Sequence, residues 1–446
     1  MFNVKKRSLV ALLLSITMVM SLVGCGSKND DKADTKKAES AQETTGEDSE
    51  TTEEKANLVW AGWSGEEDST KGIIEGMINS YNEKGGSQVK WVGWPWADTQ
   101  QQLIIRNQGS EVLDLAQVDI GMFGALSEAG ILADMNEVMG KDYLAENYDP
   151  AALEVGQVDG QQLGMPWSIA SIGMLYNPSL LEKVGYTEPP KTIAEFEDCM
   201  KKLKEYDPEI IPYGIATKEG TMATDFQPWL WTFGGSILDK DGKVTLDNAA
   251  AKEATTWYKG LLNKGCIQMN ITRFDARQLF ANDKIAFYDD AISARGVAVS
   301  NGLSEADLPG KIQPMERPVL KEGDTPQSAM WGHLLVVFKK SEHKEQAADF
   351  IKHIVSEEQS LKYLESNGML PVLNTALNSE AVKNDAWANT WVSITKSGRK
   401  LEFATMSNGG ELNNILVEEL QSMLIGDKDV KGALESAQSR LTSELE

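Results

Sequence analysis

Asn57-Leu58-Val59-Trp60-Ala61-Gly62-Trp63-Ser64-Gly65 opens a segment of three apolar runs and two amphipathic ones that sets the architecture. Leu58 to Ala61 is a short apolar run that ends on Gly62 and passes directly into an indole and a hydroxyl. Downstream, Ile73, Ile74, Met77, Ile78 and Tyr81 recur at helical spacing, and Gly85-Gly86 stops that helix. Val89 to Val92 reads as a second strand, Leu103-Ile104-Ile105 lies on a second helix, and Leu113 to Val118 reads as a third strand. Short apolar runs alternating with amphipathic segments are the pattern of βαβ units, so the chain predicts an α/β fold on a mostly parallel sheet.

In such sheets ligands bind outside the carboxyl ends of the strands. The first strand runs into Gly62-Trp63-Ser64-Gly65, the second into Gly93-Trp94-Pro95-Trp96 and the third into Asp119. Trp63, Trp96 and Asp119 are therefore candidates for a ligand rim. Trp60, inside its strand, reads as core, and Trp94 stays open between the two. The chain has 12 tryptophans, so position rather than residue type has to separate rim from core.

Toward the N-terminus, Lys5-Lys6-Arg7 precedes an apolar stretch from Leu9 to Val23 that closes on Leu22-Val23-Gly24-Cys25. A basic start, an apolar segment and small residues before a cut make a secretory signal over residues 1–24. The run is short for a bilayer span. The last four residues resemble a bacterial lipobox, which implies that the Cys25 thiol is diacylated and holds the chain at the outer face of the membrane. Residues 25–56 then lack aromatics, and their Asp and Glu outnumber their lysines, so they read as a disordered acidic linker. About 390 residues remain from Asn57, enough for two domains. A formal charge of −24 makes nucleic acid a poor partner. Cys199 and Cys266 sit in apolar, helix-like contexts and read as small buried hydrophobes rather than a disulfide scaffold.

A longer motif lies in Gly160-Gln-Gln-Leu-Gly-Met-Pro166, then Leu175-Tyr176-Asn177-Pro178, Leu181 to Gly185, and Pro189-Pro190-Lys191-Thr192 with Glu195-Phe196. Pro189-Pro190 forbids helix, Thr192 caps the helix that follows, and Glu195 completes a capping box. This run resembles the family 1 extracellular solute-binding proteins, the maltose-binding-like receptors of carbohydrate ABC importers. The resemblance extends through Trp229-Leu-Trp231-Thr-Phe-Gly234-Gly235 and Phe280 to Tyr288, where Asn282-Asp283 replaces a turn glycine. It continues through Trp331-Gly332 before Leu334 to Val337, the helix around Ala347 to Ile351, and two C-terminal helices broken at Gly426-Asp427.

The family implies a two-lobed periplasmic-binding-protein-like α/β fold of type II, closing on a sugar in the cleft between hinged lobes. On that basis 57–167 plus about 292–359 form an N-terminal lobe, and about 168–291 plus 360–446 a C-terminal lobe. A monomeric, lipid-anchored receptor that delivers carbohydrate to the permease subunits of an ABC importer is the implied function. A pyranose ring stacks its C–H faces on indoles while its hydroxyls need carboxylates and amides. By strand-end position or family match the candidates are Trp63, Trp96, Asp119, Trp167, Ser168, Trp229, Trp231, Asp289, Asp290 and Trp331. Trp229 and Trp231, at i and i+2, need not both face the cleft, and Asp290 reads equally as a solvated turn.

Catalytic and metal chemistry find no pattern. His333, His343 and His353 are scattered, and the nucleophile-elbow, zincin and P-loop motifs are missing. Asp239-Lys-Asp241-Gly242-Lys243 through Asp247 has some acids of a calcium loop but no glutamate at the twelfth position, so it reads as a hairpin turn. Adjacent carboxylates at Glu66-Glu67 and Asp289-Asp290 do not place an acid and a nucleophile across a sugar. No cofactor and no catalysis are expected. Two alternatives stay open: a receptor of the same fold for a polyamine or other organic cation, held by cation-π attraction, and a surface glycoside hydrolase.

Overall fold

The structure, a computed structural model, describes residues 57–446 except 68, 69, 112 and 219. The signal segment, Cys25 and the whole acidic linker lie outside the described residues. Eleven strands follow in chain order: β1 (Asn57–Gly62), β2 (Gln88–Gly93), β3 (Leu115–Asp119), β4 (Gln157–Val158), β5 (Gln161–Gln162), β6 (Met165–Tyr176), β7 (Ile211–Tyr213), β8 (Ile285–Asp290), β9 (Gln313–Met315), β10 (Ser328–Val337) and β11 (Gly398–Lys400). The main sheet runs β2-β1-β3-β10-β6-β8-β7, with β11 beside β10 and β9 beside β6, while β4 and β5 form a separate hairpin. β1 pairs in parallel with β2 and β3, as the alternating pattern predicts. The whole sheet is mixed rather than mostly parallel, because β10 is antiparallel to both β3 and β6 and β6 is antiparallel to β8.

β6 and β10 carry the chain between two hydrophobic cores. The Met165–Ile172 part of β6 pairs with β10, and Gly173–Tyr176 pairs with β8. The β6–β10 ladder slips at one point: His333 faces Ser168 but Leu334 faces Pro166, so Trp167 is an extra residue on β6. This bulge also explains how a proline, with no N–H to donate, sits inside a buried strand. Gly332 meets the same place from β10, where a Cβ would fall 2.3 Å from the Ser168 carbonyl oxygen. Only glycine fits that approach.

The first core holds Leu58, Trp60, Leu115, Phe123, Trp167, Leu334 and Phe350, and the second holds Phe196, Tyr213, Phe226, Trp229, Phe287 and Leu416. Tyr363, Leu370, Trp391 and Ile394 pack in the first core, and Met315 packs in the second. The division expected from sequence, with 292–359 completing one lobe and 360–446 the other, thus differs from where the cores fall. The physical reason is that the helix Glu357–Asn367 lays Tyr363 on Trp167, rings stacked at 4.7 Å, and the helix Ala386–Lys396 closes on Gly173.

Local rules hold where the sequence announced them. Thr192 and Glu195 form the capping box of the helix Ile193–Tyr206. Asp283, standing where the family resemblance has glycine, takes a left-handed φ of 57°. Gly426 at φ 95° separates the helices Gly409–Ile425 and Val430–Leu445. Asp239 accepts from the backbone N–H groups of Asp241 and Lys243 and Leu238 bridges Val244, so the calcium-like segment is a tight hairpin turn. Cys199 and Cys266 are both free and buried in the second core.

Candidate functional site

The strand-end rule leads to one cavity. Beyond β1, β2 and β3, a depression of about 340 Å³ is lined by Trp63, Ser64, Glu67, Thr70, Trp96, Asp119, Ser293, Trp331, His333, Tyr363 and Met369. Four sequence candidates, Trp63, Trp96, Asp119 and Trp331, therefore share one wall system. Asp119 ends β3 and caps the helix Ile120–Glu128, its Oδ1 accepting from the Met122 N–H at 2.7 Å. Its Oδ2 accepts from Trp96 Nε1 at 2.6 Å, which fixes an indole that is otherwise 54% exposed. Burial raises the Asp119 pKa, and these hydrogen bonds work in the opposite direction.

The floor is organised around His333, a residue the sequence reading considered only as a metal ligand. On β10 it lies opposite Asp119 of β3 and Ser168 of β6. Trp331, two residues earlier and on the same face of the strand, meets it edge-on at 5.3 Å, and Trp63 does so at 4.9 Å. Gln117 reaches His333 Nδ1 at 3.2 Å and donates to Ser64 Oγ at 2.7 Å, while its Oε1 accepts from the Ser64 N–H. Burial pushes the His333 pKa down to about 3, so the imidazole is neutral and acts as a planar spacer between indoles.

Other candidates lie elsewhere. Trp167 is buried beneath the site, stacked on Tyr363 and edge-on to Trp60, and Ser168 is buried beside it. Trp231 joins a small cluster with Ile172, Ala291 and Ala329, against which Trp331 also packs; its Nε1 donates to Glu402 Oε1 at 2.7 Å and Arg399 lies over its ring. Trp229 is fully buried in the second core rather than at the rim: its Nε1 donates to Tyr213 Oη, Phe196 stacks on it and Arg317 lies 4.6 Å from its ring centre. Asp289 is buried in an ion pair with Arg317 and accepts from Tyr213 Oη. Asp290 takes both Nε and Nη2 of Arg277, at 2.6 and 2.7 Å, so it is neither a solvated turn nor part of the cavity. Trp94 stays half-buried under the Arg106 guanidinium, away from the cavity.

Ser64, Glu67, Thr70, Ser293, Tyr363 and Met369 line the cavity without having been singled out. Ser64 follows Trp63 directly, and the Trp331-Gly-His333 period on a strand would have exposed His333. Ser293, Tyr363 and Met369 come from distant segments whose local pattern carries no such signal.

The model of one protein family, described as bacterial extracellular solute-binding protein, matches residues 76–390. The diacetylchitobiose binding protein DasA of Streptomyces coelicolor is 23% identical over 399 residues, covering 86% of this chain and 85% of that protein. The maltotriose-binding protein of Pyrococcus abyssi is 26% identical over 288 residues, covering 62% of this chain and 58% of that protein. Among solved structures, the cyclic alpha-maltosyl-1,6-maltose binding protein of Arthrobacter globiformis has a TM-score of 0.77 at 20% identity, covering 88% of this chain and 99% of that one. The two-lobed fold of such binding proteins is therefore the fold of this chain.

Proposed function

This chain belongs to the bacterial extracellular solute-binding proteins, and from that premise we propose that it captures an oligosaccharide between its lobes and hands it to an ABC importer. The observation that carries the proposal is the meeting of Trp63, Trp96 and Trp331 with Asp119 around one cavity at the strand ends. The exposed parts of Trp96 and Trp331 suit the C–H faces of a pyranose, Trp63, buried at 3% exposure, backs the wall, and Asp119, Ser64 and Thr70 are polar groups for the hydroxyl edge. Relatives named for diacetylchitobiose and maltotriose support the ligand class. We further propose that the lobes follow the two cores, that closure over the ligand moves one core toward the other, and that a diacylated Cys25 tethers the monomer to the outer face of the membrane through the acidic linker.

An organic cation fits the site less well. Burial pushes the pKa values of both lining carboxylates, Asp119 and Glu67, upward, the direction opposite to that of a site built to hold a cation. A glycosidase needs an acid free to give a proton and a second carboxylate across the bond, whereas Asp119 is committed to a helix N-terminus and an indole. The test is a thermal-shift series with two-ring and five-ring glucans, xylans and chitin fragments at low and high salt. A ligand at about 100 times its Kd should add ~2.7 kcal/mol. Carbohydrate stabilisation that survives salt supports the proposal. Stabilisation only by spermidine, erased by salt, would sink it.

A further inference from the structure

The helix Glu357–Asn367 separates two depressions. Tyr363 looks into the cavity described above, whereas Glu358, Leu361, Lys362 and Glu365, spaced i, i+3, i+4 and i+7, line a second groove of about 660 Å³. Arg295, Asp385 and Trp387 form its opposite wall. The two depressions meet at one place. Ser293 lines both, and Gly368 of the groove is followed in the chain by Met369 of the cavity. Gly368, at φ 75°, ends the helix against Ser293: a Cβ on it would lie 3.6 Å from Ser293 Cα. Gly368 adds no side chain to the boundary between the depressions.

The groove has the chemistry of a polyhydroxyl site. Trp387 donates its indole N–H to the Ile292 carbonyl at 3.0 Å and carries the Arg295 guanidinium 5.5 Å from its ring centre. Arg295 pairs with Asp385 and Lys362 with Glu358, so charges of both signs are present in mutually neutralised pairs. Trp387 is buried and serves to position Arg295, whose planar guanidinium stands with the carboxylates of Asp385 and Glu358 on the groove; such paired donors and acceptors suit hydroxyls better than an isolated ion. The cavity alone lies near the small end of ligand clefts, which span roughly 300–1,000 Å³.

We propose that this groove is an outer subsite, and that the ligand is an oligosaccharide whose first rings occupy the tryptophan cavity and whose further rings cross Ser293 and Gly368 into the groove. The inference rests on the carbohydrate-receptor proposal and is tested separately from it. Calorimetry would use the glucan, xylan or chitin series that stabilises the full mature protein, at two and at five rings. The wild type should bind one five-ring molecule about tenfold or more tightly than the two-ring one. Arg295→Ala, which removes the guanidinium from the groove, and Ala381→Trp, which fills it from an exposed position, should each bring the five-ring affinity to within about twofold of the two-ring value. Both should leave two-ring binding as in the wild type. Equal affinities for both lengths in the wild type, equal weakening of both lengths by the variants, or two ligand molecules per chain would overturn the inference. If no series binds, the receptor proposal itself fails, a result distinct from loss of length dependence.

Discussion

Trp331 and Trp229 show how one residue type serves opposite ends. In the first core's cavity, Trp331 is half-buried with part of its ring on the cavity wall, and Trp96 is tethered to Asp119 by its N–H with much of its ring exposed. In the second core, Trp229 spends its N–H on Tyr213, one face on Phe196 and further ring surface on Arg317 and Trp257. An indole is available to a ligand only where the chain has left part of its face unspent. The same holds for carboxylates: Asp119 lines the cavity, whereas Asp289 is sealed against Arg317 and Tyr213.

The sharpest way to break this comparison is a crossed pair of truncations. Trp229→Ala should cost about 3–5 kcal/mol of stability, as expected for a large aromatic removed from a packed core. Trp331→Ala should cost less stability but about 2 kcal/mol of ligand affinity, the loss of an aromatic anchor. Urea unfolding and calorimetry on both proteins would read the two effects, and the opposite pattern would mean that rim and core have been exchanged.

A second effect separates the regions by pH. His333 has a folded pKa of about 3, below its ordinary value of 6.5, so on acidification the unfolded chain takes up a proton before the native one does. Its contribution to stability is complete above pH 6.5 and is lost as pH falls toward about 3. By pH 4 this amounts to about 3 kcal/mol. Urea midpoints of the wild type and His333→Gln from pH 7 to 4 should diverge, with the variant showing the shallower decline. Parallel curves would mean that the imidazole is not sealed between the indoles.

The smallest effect concerns Asp119. Asn has one acceptor oxygen where Asp has two, so Asp119→Asn cannot both cap Met122 and hold Trp96. Loss of one such bond should cost about 1 kcal/mol, seen as a fewfold drop in affinity with altered tryptophan fluorescence. Unchanged binding would show that Trp96 keeps its position without this tether.

Much of this was legible before any coordinates. β1 to β3, Trp63, Trp96 and Asp119 follow from apolar periodicity and the rule that strand ends carry function, because both depend on neighbours in the chain. Trp331 came with the family motif. Trp229 and Asp289 could not be sorted by the same means, because their partners Tyr213, Phe196 and Arg317 lie on other elements, as far along the chain as Arg317 is from Trp229, and nothing local announces them. The division between the two cores failed to show for a related reason: the helices that return to the first core after residue 357 are amphipathic in a way that would suit either one. Tyr363 and Met369 reach the cavity only through that return.

The extra residue in β6 bears on how such a chain can change over evolutionary time. In a strand with period 2, one amino acid gained or lost turns every side chain on one side of the change to the other face. Trp167 is a length difference of this kind already absorbed, with Pro166 and Gly332 shaped around it. Loops of this protein can lengthen at modest entropic cost, but a further insertion in β6 would set the lining of one core out of phase with the other. Descendants of this gene are free to exchange letters along the crossing strand and constrained in how many they write.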